Sequence, residues 1–249
     1  ANHYRKWRRP LLNILALDTS AKTTSVCIAS DEQILSEFSV IATQTHSQTL
    51  MPMLQSAVQS CGISLKEIDL YAVSNGPGSF TGLRIGIGAI KGMAMGAQKP
   101  CIGISTLEAL AQNLYGMHGI ICAVMDARCN QVYTASFTMK NGVFTRITAD
   151  EALSVDELGG VLRGYIEPIV LVGDGAELCY EQLKERIPNI QIAAPANRYQ
   201  RASSVAACAW RHASEAVSAA DLLPLYLRLP QAERERLARQ QEKEAVFNG

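Results

Sequence analysis

Apolar residues fall in short runs bounded by polar turns along most of the chain. "NILALD" at residues 13–18 reads as a strand ending in an acid, "TTSVCIA" at 23–29 as a second strand and "ILSEFSV" at 34–40 as a third. The period then lengthens. In "SQTLMPMLQSAVQSCG", Leu50, Leu54, Val58 and Cys61 recur at helical spacing, and Gly62 supplies a C-cap. "DLYAVSN" at 69–75 is a fourth strand. It leads into "NGPGSFTGLRIGIGAIKGMAMGA", a glycine-rich loop running into a helix. The strand "CIGIS" and the helix "TLEALAQNL" complete an order of βββαβαβα.

From Ile120 the pattern starts again. "IICAVMDA" is a strand ending in Asp126, and "QVYTASFTMKNGVFTRIT" is a hairpin turning at Asn141-Gly142. "SVDELGGVLRG" is a weak helix, "PIVLVGDG" a strand and "AELCYEQLKERI" a strongly periodic helix. The unit βββαβα therefore occurs twice, with Asp18 and Asp126 at matching strand ends. Such a repeat implies an α/β protein of two duplicated domains, each a mixed sheet flanked by helices. The expected division is an extension or tag at 1–12, an N-terminal domain at 13–115, a C-terminal domain at 116–230 and a charged tail at 231–249. A long helix around 203–218 is expected to pack on the second domain or cross back to the first. The duplicated pattern resembles the actin-like ATPase superfamily of sugar kinases, acetate kinase and Hsp70. That resemblance implies that the acid ending the first strand of each half lies near phosphates and metal in an interdomain cleft.

Composition narrows the classes. The 249 residues are 48% apolar and 18% charged, with zero net charge, which suits a globular protein with a large core and no strong field for nucleic acid or anionic membrane. No apolar run reaches 18 residues, so no membrane partner is expected. The seven cysteines form no CxxC pair and read as buried free thiols of a cytoplasmic protein. "ANHYRKWRRPLL" lacks the apolar stretch of a signal peptide; Arg5, Lys6, Arg8 and Arg9 would alternatively suit an RNA-binding arm.

Candidate chemistry is sparse. The turns "DTSAKTTS" and "DARCNQVY" contain no glycine to admit a phosphate, although Thr19, Ser20 and Lys22 suit an anion and Asp18 suits Mg²⁺ through water. "VGDGAE" lies where the superfamily contacts adenosine. Asp18, Thr19, Ser20, Asp126, Gly173 and Gly175 are therefore the candidates for a vestigial nucleotide site, with weak ATP or ADP and Mg²⁺ binding and no required cofactor. The four histidines form no metal-binding pair, and no GxSxG nucleophile elbow occurs, so no metal site and no catalytic residue is assigned.

The glycine-rich helix is the more telling segment. Glycine within a helix costs roughly 0.5–1 kcal/mol against alanine, and this helix carries Gly82, Gly86, Gly88, Gly92 and Gly96. Gly88, Gly92 and Gly96 fall on one face and form a strip that another helix can approach closely. The partner is either the helix at 47–61 or a helix pair from a second subunit. The candidate interface comprises Leu50, Met51, Met53, Leu54, Val58, Arg84, Ile87, Gly88, Lys91, Gly92, Met95 and Gly96.

"ILALDTSAKTTSVCIA", "THSQTLMPML", "NGPGSFTGLRIGIGAIKGMAMG", "CIGISTLEALA", "MDARCNQVYTA" and "PLYLR", in that order, resemble the bacterial TsaB family, also called YeaZ. The resemblance implies a role in making threonylcarbamoyladenosine beside the tRNA anticodon. It implies a noncatalytic subunit that binds and activates a TsaD-type homologue, is joined by a TsaE-type ATPase, reaches tRNA through the complex and forms a homodimer when alone. TsaD-type chains carry a histidine pair four residues apart on the first helix; here His46 is followed by Leu50. That difference counts against a glycoprotease-like metallopeptidase. An ATP-dependent phosphotransferase resting on Asp18 and Asp126 is the other alternative.

Overall fold

The computed structural model describes residues 11–41, 44–140 and 142–228. The first half runs β1 (Asn13–Asp18), β2 (Thr23–Ser30), β3 (Gln33–Ile41), α1 (His46–Cys61), β4 (Leu70–Gly76), α2 (Phe80–Ala97), β5 (Cys101–Ser105) and α3 (Thr106–Gln112). Its sheet has the order β3-β2-β1-β4-β5, antiparallel through the hairpins and parallel from β1 to β5. The second half runs β6 (Ile120–Arg128), β7 (Gln131–Lys140), β8 (Val143–Arg146), β9 (Glu151–Ser154), α4 (Val155–Leu162), β10 (Ile169–Val172), α5 (Ala176–Leu183), β11 (Ile190–Ile192), α6 (Pro195–Arg198) and α7 (Ala202–Arg211). Its sheet order, β11-β10-β6-β7-β8, is the same topology read from the other edge, with β9 added against β7. The duplication in the sequence is thus a duplication of sheets. This is the actin-like ATPase fold, two mixed sheets flanked by helices.

Local chemistry sets the boundaries. Thr45 and Gln48 form a capping box at the start of α1, and Gly62 closes it in the left-handed region at φ 68°. Ser154 and Glu157 do the same for α4, the weak helix of the sequence reading. β9, β11 and α6 escape that reading because three or four residues are too few to show a period. The Asn141 half of the β7–β8 turn lies outside the described residues; Gly142 takes φ +77°. So do residues 1–10 of the expected extension and the tail at 231–249. Among the described residues no helix is long and apolar enough to cross a membrane.

Each face of each sheet carries its own core. Leu15, Leu17, Val26 and Ile28 of the first sheet pack under α1 and α2, while Ile14, Ala16, Cys27 and Ala72 pack against α7. In the second sheet Ile120, Cys122 and Val124 face α4 and α5. Ile121, Ala123 and Met125 face Leu107, Leu110 and Ala111 of α3. The joining helices are therefore exchanged: α3 leaves the first sheet to cover the second, and α7 crosses back to the first. They meet where Ser204 Oγ donates to Asn113 Oδ1 at 2.6 Å. α7 stops at Arg211 rather than 218, because its buried stripe of Ala202, Val205, Ala206, Cys208 and Ala209 has ended. The chain then returns along the first sheet as a strap. Val217 pairs with Cys101, and Leu225 N donates to Asn75 O at 2.7 Å.

Candidate functional site

The five glycines of α2 divide into two sets. A Cβ on Gly82 would stand 2.0 Å from Thr19 O, and one on Gly86 would stand 2.4 Å from Thr19 Oγ1. These glycines let the helix lie on the β1–β2 turn, where Thr19 Oγ1 donates to Gly82 O at 2.8 Å. Ser79 caps the helix by accepting from Gly82 N at 3.3 Å. Gly88, Gly92 and Gly96 are different. They are exposed, and among the described residues nothing lies within 4 Å of where their Cβ atoms would be. The helix at 47–61 does not cover them, which corrects the intramolecular alternative. α1 lies beside α2 on the sheet, not on its glycine strip.

Geometry also trims the candidate interface. Leu50, Leu54 and Ile87 are 2%, 4% and 5% exposed and belong to the core beneath the helices, so they anchor the helix layer and are not available to a partner. Met53 and Val58 are half-buried against the same core. Met51, Arg84, Gly88, Gly92, Met95 and Gly96 are exposed. Lys91 is tied down: its Nζ donates to Ala220 O and Leu222 O, both at 3.1 Å. Arg84 Nε donates to the Tyr226 hydroxyl at 3.0 Å, and its guanidinium sits 3.8 Å from the centre of the Phe80 ring. The strap is thereby fastened along α2.

Between the halves is a cleft of about 560 Å³. Ser20, Lys22 and the start of α2 line one wall, Asp126, Arg128 and Asp174 the other, and Tyr226 and Arg228 of the strap close one side. Asp18 and Thr19 do not open into it. The Asp18 carboxylate is fully buried and accepts from Ser20 N at 2.9 Å, Ser20 Oγ at 2.7 Å and Ser74 Oγ at 2.5 Å. Burial pushes its pKa up despite those bonds. Its lone pairs hold its own turn, which corrects its assignment to a nucleotide site. Asp126 does reach the cleft, with Oδ1 accepting from Arg128 N at 2.7 Å. Gly173 and Gly175 serve close packing of backbone: a Cβ on Gly173 would stand 2.0 Å from Val124 O. The residue they deliver is Asp174. Burial pushes that carboxyl up to about 6 against the backbone amides of Asp126 and Asp174, with the charges of Asp126 and Lys22 as smaller opposed effects. Its Oδ1 is buried without a partner. "VGDG" held this acid in plain view, but glycine spacing alone drew attention there.

His46 begins α1 with its Nδ1 2.6 Å from Thr24 Oγ1. Four residues on, Leu50 points into the core. Among the described residues no group of three or more His, Cys, Asp or Glu side chains is placed to hold a metal ion.

A family model described as TsaD, tRNA N6-adenosine threonylcarbamoyltransferase, matches residues 39–236. The tRNA threonylcarbamoyladenosine biosynthesis protein TsaB of Bacillus subtilis is 29% identical, over 89% of this chain and 96% of that protein. The TsaB protein of Haemophilus influenzae is 30% identical, over 87% of this chain and 94% of its own length. The chain belongs to the TsaB family. The solved structure of YeaZ from Pseudomonas aeruginosa superposes with a TM-score of 0.70 at 26% identity, over 87% of this chain and all of that one. As a TsaB-family member the protein acts in tRNA threonylcarbamoyladenosine biosynthesis. One family model spans TsaB and TsaD chains alike, so the residues at each site, and not the match, decide what this TsaB-type chain does. At two of those positions, His46 is followed four residues on by a buried Leu50, and Asp18 is sealed in its own turn.

Proposed function

We propose that the chain is a noncatalytic subunit that docks a TsaD-type catalytic homologue through the outer face of α1 and α2 and supports its activity. The observation that carries this reading is the exposed strip of Gly88, Gly92 and Gly96 beside Met95, with Met51 exposed on the neighbouring helix. Glycines that cost helix stability, and whose missing side chains would meet nothing among the described residues, make sense where a second chain comes close. The same face would close a homodimer when the chain is alone. A TsaE-type ATPase would join the pair, and tRNA would be reached through the complex.

A phosphotransferase reading has no support from Asp18, whose oxygens are spent on Ser20 and Ser74. The residues do not fit a catalytic Mg²⁺–ATP site, and no reaction step is derived through one. What they fit is weak nucleotide binding in the cleft, with Lys22, Arg128 and the N-terminus of α2 facing the phosphates. A metallopeptidase reading lacks the second histidine.

Light scattering of the purified chain, alone and mixed with the TsaD-type homologue, tests the docking. The expected result is a 1:1 complex that displaces any homodimer. Gly92→Leu should weaken that complex at least tenfold without lowering the melting temperature of the chain alone. A chain that stays monomeric and ignores the homologue would overturn the reading.

A further inference from the structure

Arg84 stands at one end of the glycine strip. Counted back by fours from Gly96, the positions Gly92, Gly88, Arg84 and Phe80 follow one ridge of α2. A helix laid along the strip therefore meets the Arg84 side chain. That side chain is already held from within its own chain. Its guanidinium lies 3.8 Å from the centre of the Phe80 ring, and Nε donates to the Tyr226 hydroxyl at 3.0 Å. Tyr226 packs against Phe80 in turn, with ring centres 4.9 Å apart. With Nε taken, the two Nη groups remain, and among the described residues neither has a hydrogen-bond or ion-pair partner. Arg84 is not among the residues that line the cleft.

The two helices of this face hold nothing to neutralise that charge. α1 and α2 contain no Asp or Glu. Lys91, the other basic residue of α2, is spent on carbonyls of the strap. The one acid of the strap, Asp221, accepts from Ser218 Oγ at 2.6 Å. A second copy of the chain would bring the same acid-free helices to the contact. A guanidinium fixed in place with both Nη groups open matches the two oxygens of a carboxylate. We infer that Arg84 selects the docking partner by binding an aspartate or glutamate on it, which favours an acid-bearing partner over a second copy of this chain. This rests on the docking reading and adds the charge that the partner must carry.

The test is sedimentation of the full chain, alone and with the TsaD-type homologue, at about 50 mM and about 300 mM salt. The parent complex should weaken as salt rises. Arg84→Gln should weaken it at least tenfold at low salt and flatten the salt dependence, without weakening any homodimer or lowering the melting temperature of the chain alone. Arg84→Lys, which keeps the charge without the planar fork, should keep the salt dependence and bind with intermediate strength. A complex that Arg84→Gln leaves as tight as the parent's would overturn the inference and leave the docking reading standing. No complex with the parent chain would overturn both. Equal weakening of homodimer and mixed complex would show a contact that does not choose an acid. Loss of ADP binding by Arg84→Gln with docking unchanged would assign the Nη groups to a phosphate. Either of these last results also overturns the inference.

Discussion

Gly82 and Gly92 lie on the same helix and carry opposite expectations. Alanine at 82 would set its Cβ 2.0 Å from a backbone oxygen of the β1–β2 turn, where no flexible side chain can yield. Gly82→Ala should cost on the order of 2–4 kcal/mol in urea unfolding. Alanine at 92 meets nothing within 4 Å, so Gly92→Ala should gain about 0.5–1 kcal/mol. Equal effects at the two positions would contradict this division of the helix. Asp174 allows a test by pH. Burial holds its carboxyl at about 6 against an ordinary aspartate's 3.8. The folded chain then keeps a proton that the unfolded chain releases, and stability falls as pH rises from about 4 to 6. Asp174→Asn should remove this slope and be stabilised relative to the parent by about 1–3 kcal/mol more at pH 7.5 than at pH 4. A pH-independent difference between the two chains would show that Asp174 titrates as an ordinary surface acid. Asp18, also raised by burial, is unchanged in both and cancels from the comparison.

At the scale of elements, the strap from Val217 to Arg228 joins both candidate surfaces. Tyr226 packs against Phe80 with ring centres 4.9 Å apart and planes tilted by 31°, and accepts from Arg84, while Arg228 Nη1 donates to Ala127 O at 3.2 Å across the cleft. Tyr226→Ala should cost about 1–2 kcal/mol of local stability. Hydrogen exchange at the Leu225 amide, which bonds Asn75 O, should then quicken roughly tenfold. Unchanged exchange would mean that the backbone pairing holds the strap by itself. Nothing in the order of apolar residues announces this element, since "LLPLYLR" has no period and its partners lie far back in the chain. The two sheets and α1, α2 and α5 were legible because their periods are long enough to read. The same stripes explain an error at the site. Leu50 and Leu54 mark α1 as a helix because they face its sheet, so they are the residues a partner cannot reach. Asp18 was misread for a related reason. A strand end shows where an acid lies along the chain, but not that Ser74 and α2 close over it from residues far away.

At the scale of the whole molecule, the exchanged helices make the two halves depend on each other, and their joint carries charge. Glu108 on α3 lies 2.9 Å from His212 Nε2, 3.5 Å from Arg146 Nη2 of the second half and 4.0 Å from Arg211 Nη2. Glu215 faces the other side of the imidazole, 3.0 Å from Nδ1. Arg146 also pairs with Asp150, which accepts from Ser105 Oγ at 2.7 Å. One carboxylate thus gathers the end of α7, the second sheet and the start of the joining helix. Burial opposes the charge on His212, but the bonds and charges of Glu108 and Glu215 outweigh it and raise its pKa above 6.5. The stability this contributes is complete below 6.5 and disappears as pH rises through the folded value. That window lies above the one in which Asp174 acts. Because the side chains are partly exposed, screening limits the effect to at most about 1 kcal/mol. Glu108→Gln should therefore be less stable than the parent at pH 6 and lose less stability on going to pH 8.5. Parallel pH profiles for the two chains would place His212 outside the coupling, and the joint would then rest on the apolar contacts of α3 and α7 and on pH-independent bonds such as Ser204 to Asn113.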